Sequence, residues 1–187
     1  MTRIIAKLDV KPPLVVKPVH FEGLKKIGSP IDLADAYYNQ GAAEIVYVDI
    51  VASLYSRENL FKTVDDLSGD IFIPITAGGG IKKIEDIKNL LLAGADRVCI
   101  NTELLENSNF IEEVASIFGN QFLSVTIDVK KIDSEYFCMK NHGRDSSGIK
   151  LKDWLAFLKK KNVAEILIYS VDNDGLCNGP DLELLNH

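Results

Sequence analysis

Short runs of β-branched and apolar residues alternate along this chain with longer stretches whose apolar positions recur every three or four residues. The first pattern is that of buried strands and the second that of amphipathic helices, so their alternation predicts repeated β–α units around a parallel sheet. Strands are expected at about 3–9, 44–50, 72–76, 96–100, 122–128 and 165–170. Helices are expected near 30–40, 57–67, 84–93, 107–118 and 150–161, with Ile84, Ile87, Leu90 and Leu91 showing the spacing. A further helix begins around Pro180, and Ser134 to Lys140, carrying Tyr136 and Phe137, reads as a small hairpin after the fifth strand. Ile45-Val46-Tyr47-Val48-Asp49-Ile50 is nearly continuous in apolar residues, as a strand covered by helices on both faces should be.

The pattern also occurs twice. Leu8-Asp9-Val10-Lys11 returns as Ile127-Asp128-Val129-Lys130 about 120 residues later, and Ala43-Glu44-Ile45-Val46-Tyr47 is answered by Ala164-Glu165-Ile166-Leu167-Ile168 at nearly the same offset. Two halves built alike place Asp9 and Asp128 at equivalent strand ends, on opposite sides of one expected site, where a pair of carboxylates suits acid and base work. Six β–α units are too few for an eight-fold barrel, which typically needs about 250 residues. The counterpart of Gly78-Gly79-Gly80 falls near position 200, beyond His187. The expectation is one β/α-barrel domain over 1–187 with its C-terminal units missing.

Composition narrows the function classes. At 187 residues, 47% hydrophobic and 26% charged, the chain reads as a soluble globular protein with a substantial core. No apolar run reaches the roughly 18 residues of a membrane span, and no secretory signal pattern opens the chain, so a cytoplasmic location is expected. A net charge of −6 gives no footprint for nucleic acid, while leaving room for a local phosphate pocket. Cys99, Cys138 and Cys177 are scattered and lack zinc-site spacing, which reads as ordinary packing in a reducing compartment. No metal or cofactor is expected.

Several segments together carry a family resemblance. Leu8-Asp9-Val10-Lys11, Phe72-Ile73-Pro74 before Gly78-Gly79-Gly80-Ile81, Gly94-Ala95-Asp96 through Ile100-Asn101-Thr102, and Ile127-Asp128-Val129-Lys130 resemble the cyclase subunit of imidazole glycerol phosphate synthase (HisF). The resemblance runs from Arg3 to Leu185 and implies a (β/α)8 TIM barrel of the half-barrel-duplicated type, truncated here after about six units. It further implies ammonia-dependent cyclisation in histidine biosynthesis, with ammonia made by a HisH-like glutaminase partner. The products are imidazole glycerol phosphate and an aminoimidazole carboxamide ribonucleotide.

By the same resemblance, Asp9 and Asp128 form the acid/base pair. Gly80, Asn101 and Thr102 hold one phosphate, Lys17 reaches the substrate, and Asp174 and Gly175 belong to the second phosphate loop. Arg3, Glu44, Arg97 and Glu165 match a ring of alternating charge that gates an ammonia tunnel. Taken alone, a glycine run after a strand suits close approach of backbone N–H groups to an anion, yet turns also use glycine freely. An ion-pair cluster closing one end of a barrel is equally compatible with the four charged residues.

The departures point to alternatives. Lys7 stands where the family usually has cysteine, Pro12-Pro13 where it has an Asp-Gly turn, Arg97 where lysine is common, and Tyr169 where it has threonine. They raise a second expectation, a HisF-like subunit that delivers ammonia to a nucleotide-linked sugar in surface-polysaccharide synthesis, although retention of Asp9 argues against it. A third is a non-catalytic truncated fragment that binds a glutaminase. His142, in the loop Asn141-His142-Gly143-Arg144, reads as an exposed loop residue ahead of a substrate contact.

Overall fold

The computed structural model of this protein describes residues 3–52 and 58–186. In chain order the elements are β1 (Ile5–Lys11), β2 (Leu14–Val19), β3 (Glu22–Gly28), α1 (Pro30–Asn39), β4 (Glu44–Asp49), α2 (Glu58–Asp70), β5 (Ile75–Gly78), α3 (Ile84–Leu92), β6 (Arg97–Ile100), α4 (Thr102–Glu106) and α5 (Phe110–Phe118). A 3-10 turn at Asn120–Phe122 leads into β7 (Leu123–Ile132), β8 (Glu135–Lys140), β9 (Asp145–Lys150), α6 (Leu151–Lys160), β10 (Glu165–Ser170) and α7 (Leu182–Leu185). Two compact units result, one formed by Met1–Val16 with Lys26–Ile100, the other by Lys17–Lys25 with Asn101–His187.

In the first unit β1 runs parallel to β4, β4 to β5 and β5 to β6. The end of β1 turns back through Pro12-Pro13 to pair antiparallel with β2. Leu8, Ile45 and Ile75 on the strands and Leu60, Leu67, Ile87 and Leu90 on α2 and α3 are fully buried. These are the apolar stripes that the three-and-four spacing marks. Proline at the first helical position opens α1, and Asp86 accepts from the backbone N–H groups of Lys82 and Lys83, both at 3.0 Å, at the start of α3. Leu90→Ala empties a site with no solvent access, and an expected loss of about 2–5 kcal/mol is checked by urea denaturation.

In the second unit β7 runs parallel to β10, while β8 and β9 continue antiparallel from its other edge. Leu104, Ile111, Ile127 and Leu151 are fully buried, and Trp154 and Leu158 complete the inward stripe of α6. Lys159 and Lys160 in the last turn of that helix complement its dipole.

The sequence repeat is a repeat of register. Asp9 lies opposite Val48 in the first unit, and Asp128 opposite Tyr169 in the second. Ile50 N–H donates to the Val10 carbonyl at 3.0 Å, and Val171 N–H to the Val129 carbonyl at 2.8 Å.

The six expected parallel strands are present, with several departures from the expected pattern. The strand expected at 72–76 is β5 at Ile75–Gly78, and Phe72 is 81% exposed. Pro74, lacking an N–H, contributes only its carbonyl to the ladder, accepting from Ile45 N–H at 3.0 Å. The helix expected at 107–118 is α5 at Phe110–Phe118, and the short α4 before it is an additional helix, separated from α5 because Asn107 leaves helical geometry (φ −134°, ψ 82°). The small hairpin is larger than expected, running through β7, β8 and β9, and β2 and β3 were not anticipated at all. Position 57, where one helix was expected to begin, and His187 lie outside the described residues, while the helix expected from Pro180 is the single turn α7. No helix among the described residues is long and apolar enough to cross a membrane.

Candidate active site

Carboxylates mark the carboxyl ends of the parallel strands. Side chains alternate along a strand, so Lys7 and Asp9 leave β1 on the same face. Asp9 is 5% exposed, and the Lys7 ammonium stands 2.8 Å from its Oδ1. The cysteine-to-lysine departure therefore places a cation directly on this carboxylate, which a buried anion requires in some form.

Asp128, 7% exposed near the middle of β7, is held differently. Asn101 Nδ2 donates to its Oδ2 at 3.0 Å and to the Met139 carbonyl, also at 3.0 Å.

Asp49 at the end of β4 is a third strand-end carboxylate, which the sequence reading passed over. Its signal was available, since Val48-Asp49-Ile50 ends a buried strand much as Leu8-Asp9-Val10 does. Burial raises its carboxyl above the ordinary 3.8, and hydrogen bonds from the backbone of Val51 (2.9 Å) and Ala52 only partly oppose the shift. A carboxyl whose folded value is raised favours the fold at low pH and loses that contribution as pH climbs from the ordinary value through the raised one. Asp49→Asn is thus expected to gain stability relative to the parent as pH rises above 3.8, measured by denaturation at several pH values.

The glycine run follows β5. Gly79 has φ +126° and Gly80 φ +59°, both left-handed geometries that glycine adopts without strain. A Cβ on Gly78 would lie 2.4 Å from the Cys99 carbonyl oxygen, and one on Gly79 2.3 Å from the carbonyl oxygen of Asp49. The first two glycines therefore have packing reasons of their own. Asn101 and Thr102, expected beside a phosphate, have engaged side chains: Asn101 as above, and Thr102 Oγ1 accepting from Asn141 N–H at 3.0 Å.

Lys17, Asp174 and Gly175 come together in the second unit. The Lys17 ammonium pairs with Asp174 Oδ1, and the Asp174 carbonyl accepts from His20 N–H at 3.0 Å. The absent side chain of Gly175 (φ +78°) lets Pro18 pass, since a Cβ would lie 2.4 Å from its carbonyl oxygen. Close by, Phe21 is buried with Met139 and Val171, and Tyr169 packs against them. His142 stacks on Phe21 with ring centroids 4.5 Å apart, so it is half-buried rather than an exposed loop residue.

Charged residues occupy the opposite strand ends. Glu44 opens β4 with no solvent exposure, accepting from Thr76 Oγ1 at 2.6 Å and facing Arg97 at 3.5 Å and Arg3 at 4.0 Å. Glu165 opens β10 in the second unit and accepts from Ser124 Oγ at 2.5 Å. Three members of the expected ring thus meet in one unit, and the fourth holds the equivalent place in the other. Removing Arg97 leaves a buried carboxylate with less charge around it: Arg97→Ala should cost about 1.5–3 kcal/mol in urea denaturation. Arg97→Lys, which keeps the charge, should cost less. Cys138 is buried, and that burial pushes its thiol up to about 12, away from the thiolate a nucleophile needs.

Parallel β–α units with acidic residues toward their carboxyl ends and charged residues at their amino ends are the building units of a β/α-barrel enzyme. The family model described as "Histidine biosynthesis protein" matches residues 3–187. The chain belongs to that family. It is 43% identical over 184 residues to the imidazole glycerol phosphate synthase subunit HisF of Legionella pneumophila, covering 98% of this chain and 87% of the relative. It is 42% identical to the HisF subunit of Natranaerobius thermophilus and 40% identical to that of a Thermotoga species (strain RQ2), in each case across 98% of this chain. Those alignments cover 73% and 72% of the two relatives.

Proposed function

We propose that this protein is the cyclase subunit of an imidazole glycerol phosphate synthase, acting in histidine biosynthesis in the cytoplasm. Identity of 43% across 98% of the chain to a HisF subunit is the observation that carries this reading. The reaction adds ammonia to an imine-like carbon of a ribulosyl-formimino aminoimidazole carboxamide nucleotide, releases the carboxamide nucleotide and closes the imidazole ring. Each step moves a proton, which calls for groups that give and take protons near neutral pH.

Asp9 and Asp128 are assigned that work because they occupy equivalent positions in the two registers and both are buried. Lys17, Gly80, Thr102, Asp174 and Gly175 are assigned to the phosphorylated substrate, and Asn101 to it through its backbone only. Arg3, Glu44, Arg97 and Glu165 are assigned to the passage of ammonia from a HisH-like glutaminase. The test is turnover of the purified chain with an ammonium salt in place of the glutaminase. Formation of imidazole glycerol phosphate supports the reading, and glutaminase binding without turnover supports a non-catalytic binding role instead.

The Lys7–Asp9 ion pair at 2.8 Å favours one second reading, since it changes the first carboxylate from its usual surroundings. In that reading ammonia goes to a nucleotide-linked sugar. Amination of such a sugar with no cyclisation in the same assay would establish it.

A further inference from the structure

Asn101 stands immediately before α4, at the N-cap position where an asparagine side chain ordinarily accepts from the first free N–H groups of the helix. It does not do so here. Its side chain makes no cap hydrogen bond, and the N–H groups of Leu104 and Leu105 go instead to the Asn101 backbone carbonyl, at 2.9 and 3.3 Å. The amide is turned to Asp128 and to the carbonyl of Met139, both at 3.0 Å.

Those two acceptors are not independent. Met139 on β8 is the residue directly opposite Asp128 on β7. One amide thus ties a buried carboxylate to the backbone across from it, and both of its hydrogens are used in doing so. A side chain so committed has no donor left for an anion.

We propose that Asn101 is a positioning residue that fixes the orientation of the Asp128 carboxylate, and that its side chain is not a phosphate ligand. The proposal rests on the cyclase reading, in which Asp128 moves a proton. Turning a carboxylate away from its productive angle slows proton transfer without loosening the grip on the rest of the substrate, so the loss belongs in kcat.

The experiment compares the full chain with its Asn101→Ala variant, using ammonium salt as nitrogen donor, with inorganic phosphate as competitive inhibitor. The expected result is a kcat lower by about 10–100-fold, the size typical of removing a group that orients a reacting one, with KM and phosphate inhibition unchanged. In an Asp128→Asn background the same substitution should produce no further loss. A raised KM and weakened phosphate inhibition at unchanged kcat would overturn the proposal and return the side chain to the phosphate site. If the alanine variant does not fold, Asn101→Ser, which keeps a single donor, reads the same split. A parent protein with no cyclase turnover overturns the cyclase reading itself, an outcome distinct from a shift in KM.

Discussion

Asp128→Asn is expected to lower turnover by about 10²–10⁴-fold, and Asp9→Asn to do the same, in an assay supplied with ammonium salt. The size follows from the chemistry. Ammonia must lose a proton as it adds, the leaving nucleotide must gain one, and ring closure repeats the exchange, while an amide in place of a carboxylate can neither take nor hold a proton. Asparagine is close in shape to aspartate, so Asp128→Asn keeps an acceptor oxygen for Asn101 and Asp9→Asn keeps one for Lys7. The fold should survive in both variants, and circular dichroism with a urea titration checks that it does. Because groups that act as a unit are not additive, the double variant should be little worse than either single one. Parent-level turnover in both variants would sink the acid/base assignment.

Lys7 makes the Asp9 half of this prediction specific to the present chain. With the ammonium 2.8 Å from Asp9, replacing the carboxylate by asparagine removes one countercharge from beside a half-buried cation. Asp9→Asn should therefore cost stability as well as turnover, whereas Asp128→Asn exchanges one neutral-donor contact for another. A lower urea midpoint for the Asp9 variant than for the Asp128 variant is the expected pattern.

Much of the fold was legible because parallel strands and amphipathic helices write strong periods. The strand at 165–170 was placed to the residue, and α1, α3 and α6 to within one or two. What escaped was structure that does not obey one period. β2 and β3 contain Pro18 and Gly23, and β2 buries Val15, Val16 and Pro18 while the described side chains of β3 stay at least partly exposed, so neither alternation nor helical spacing announces them. The site was legible where the repeat duplicated it: Asp9 and Asp128, Glu44 and Glu165. It was not legible where a side chain's partner is far along the chain. That Asn101 turns from its helix to Asp128, that Thr102 receives Asn141, and that Lys17 is paired with Asp174 are facts of tertiary placement. Asp49 was missed for another reason, since a single strand-end aspartate without a repeated partner is an ordinary thing in a sequence.

Gly79→Ala is expected to destabilise the protein by roughly 2–6 kcal/mol, combining backbone strain of about 1–3 kcal/mol with a steric cost of about 1–3 kcal/mol. At φ +126° an alanine is strained whatever the space around it, and the space is already filled, with the Asp49 carbonyl oxygen 2.3 Å from the added Cβ. Backbone cannot yield as a flexible side chain can, because Asp49 is the last residue of β4 and its carboxylate caps Val51. Gly23→Ala provides the comparison. Its φ is +62° and nothing lies within 4 Å of its Cβ, so it should show only the left-handed penalty of about 1–2 kcal/mol. The difference between the two urea midpoints reports the contact together with any extra backbone strain at φ +126°. It also separates two meanings of the triple glycine, since a run kept only to admit a phosphate would let Gly79→Ala fold normally and bind substrate poorly. A variant with the parent's urea midpoint and a raised KM would assign Gly79 to the anion. A lowered midpoint assigns it to the packing of β5 against the end of β4, leaving Gly80 as the residue of the run with the stronger claim on a phosphate.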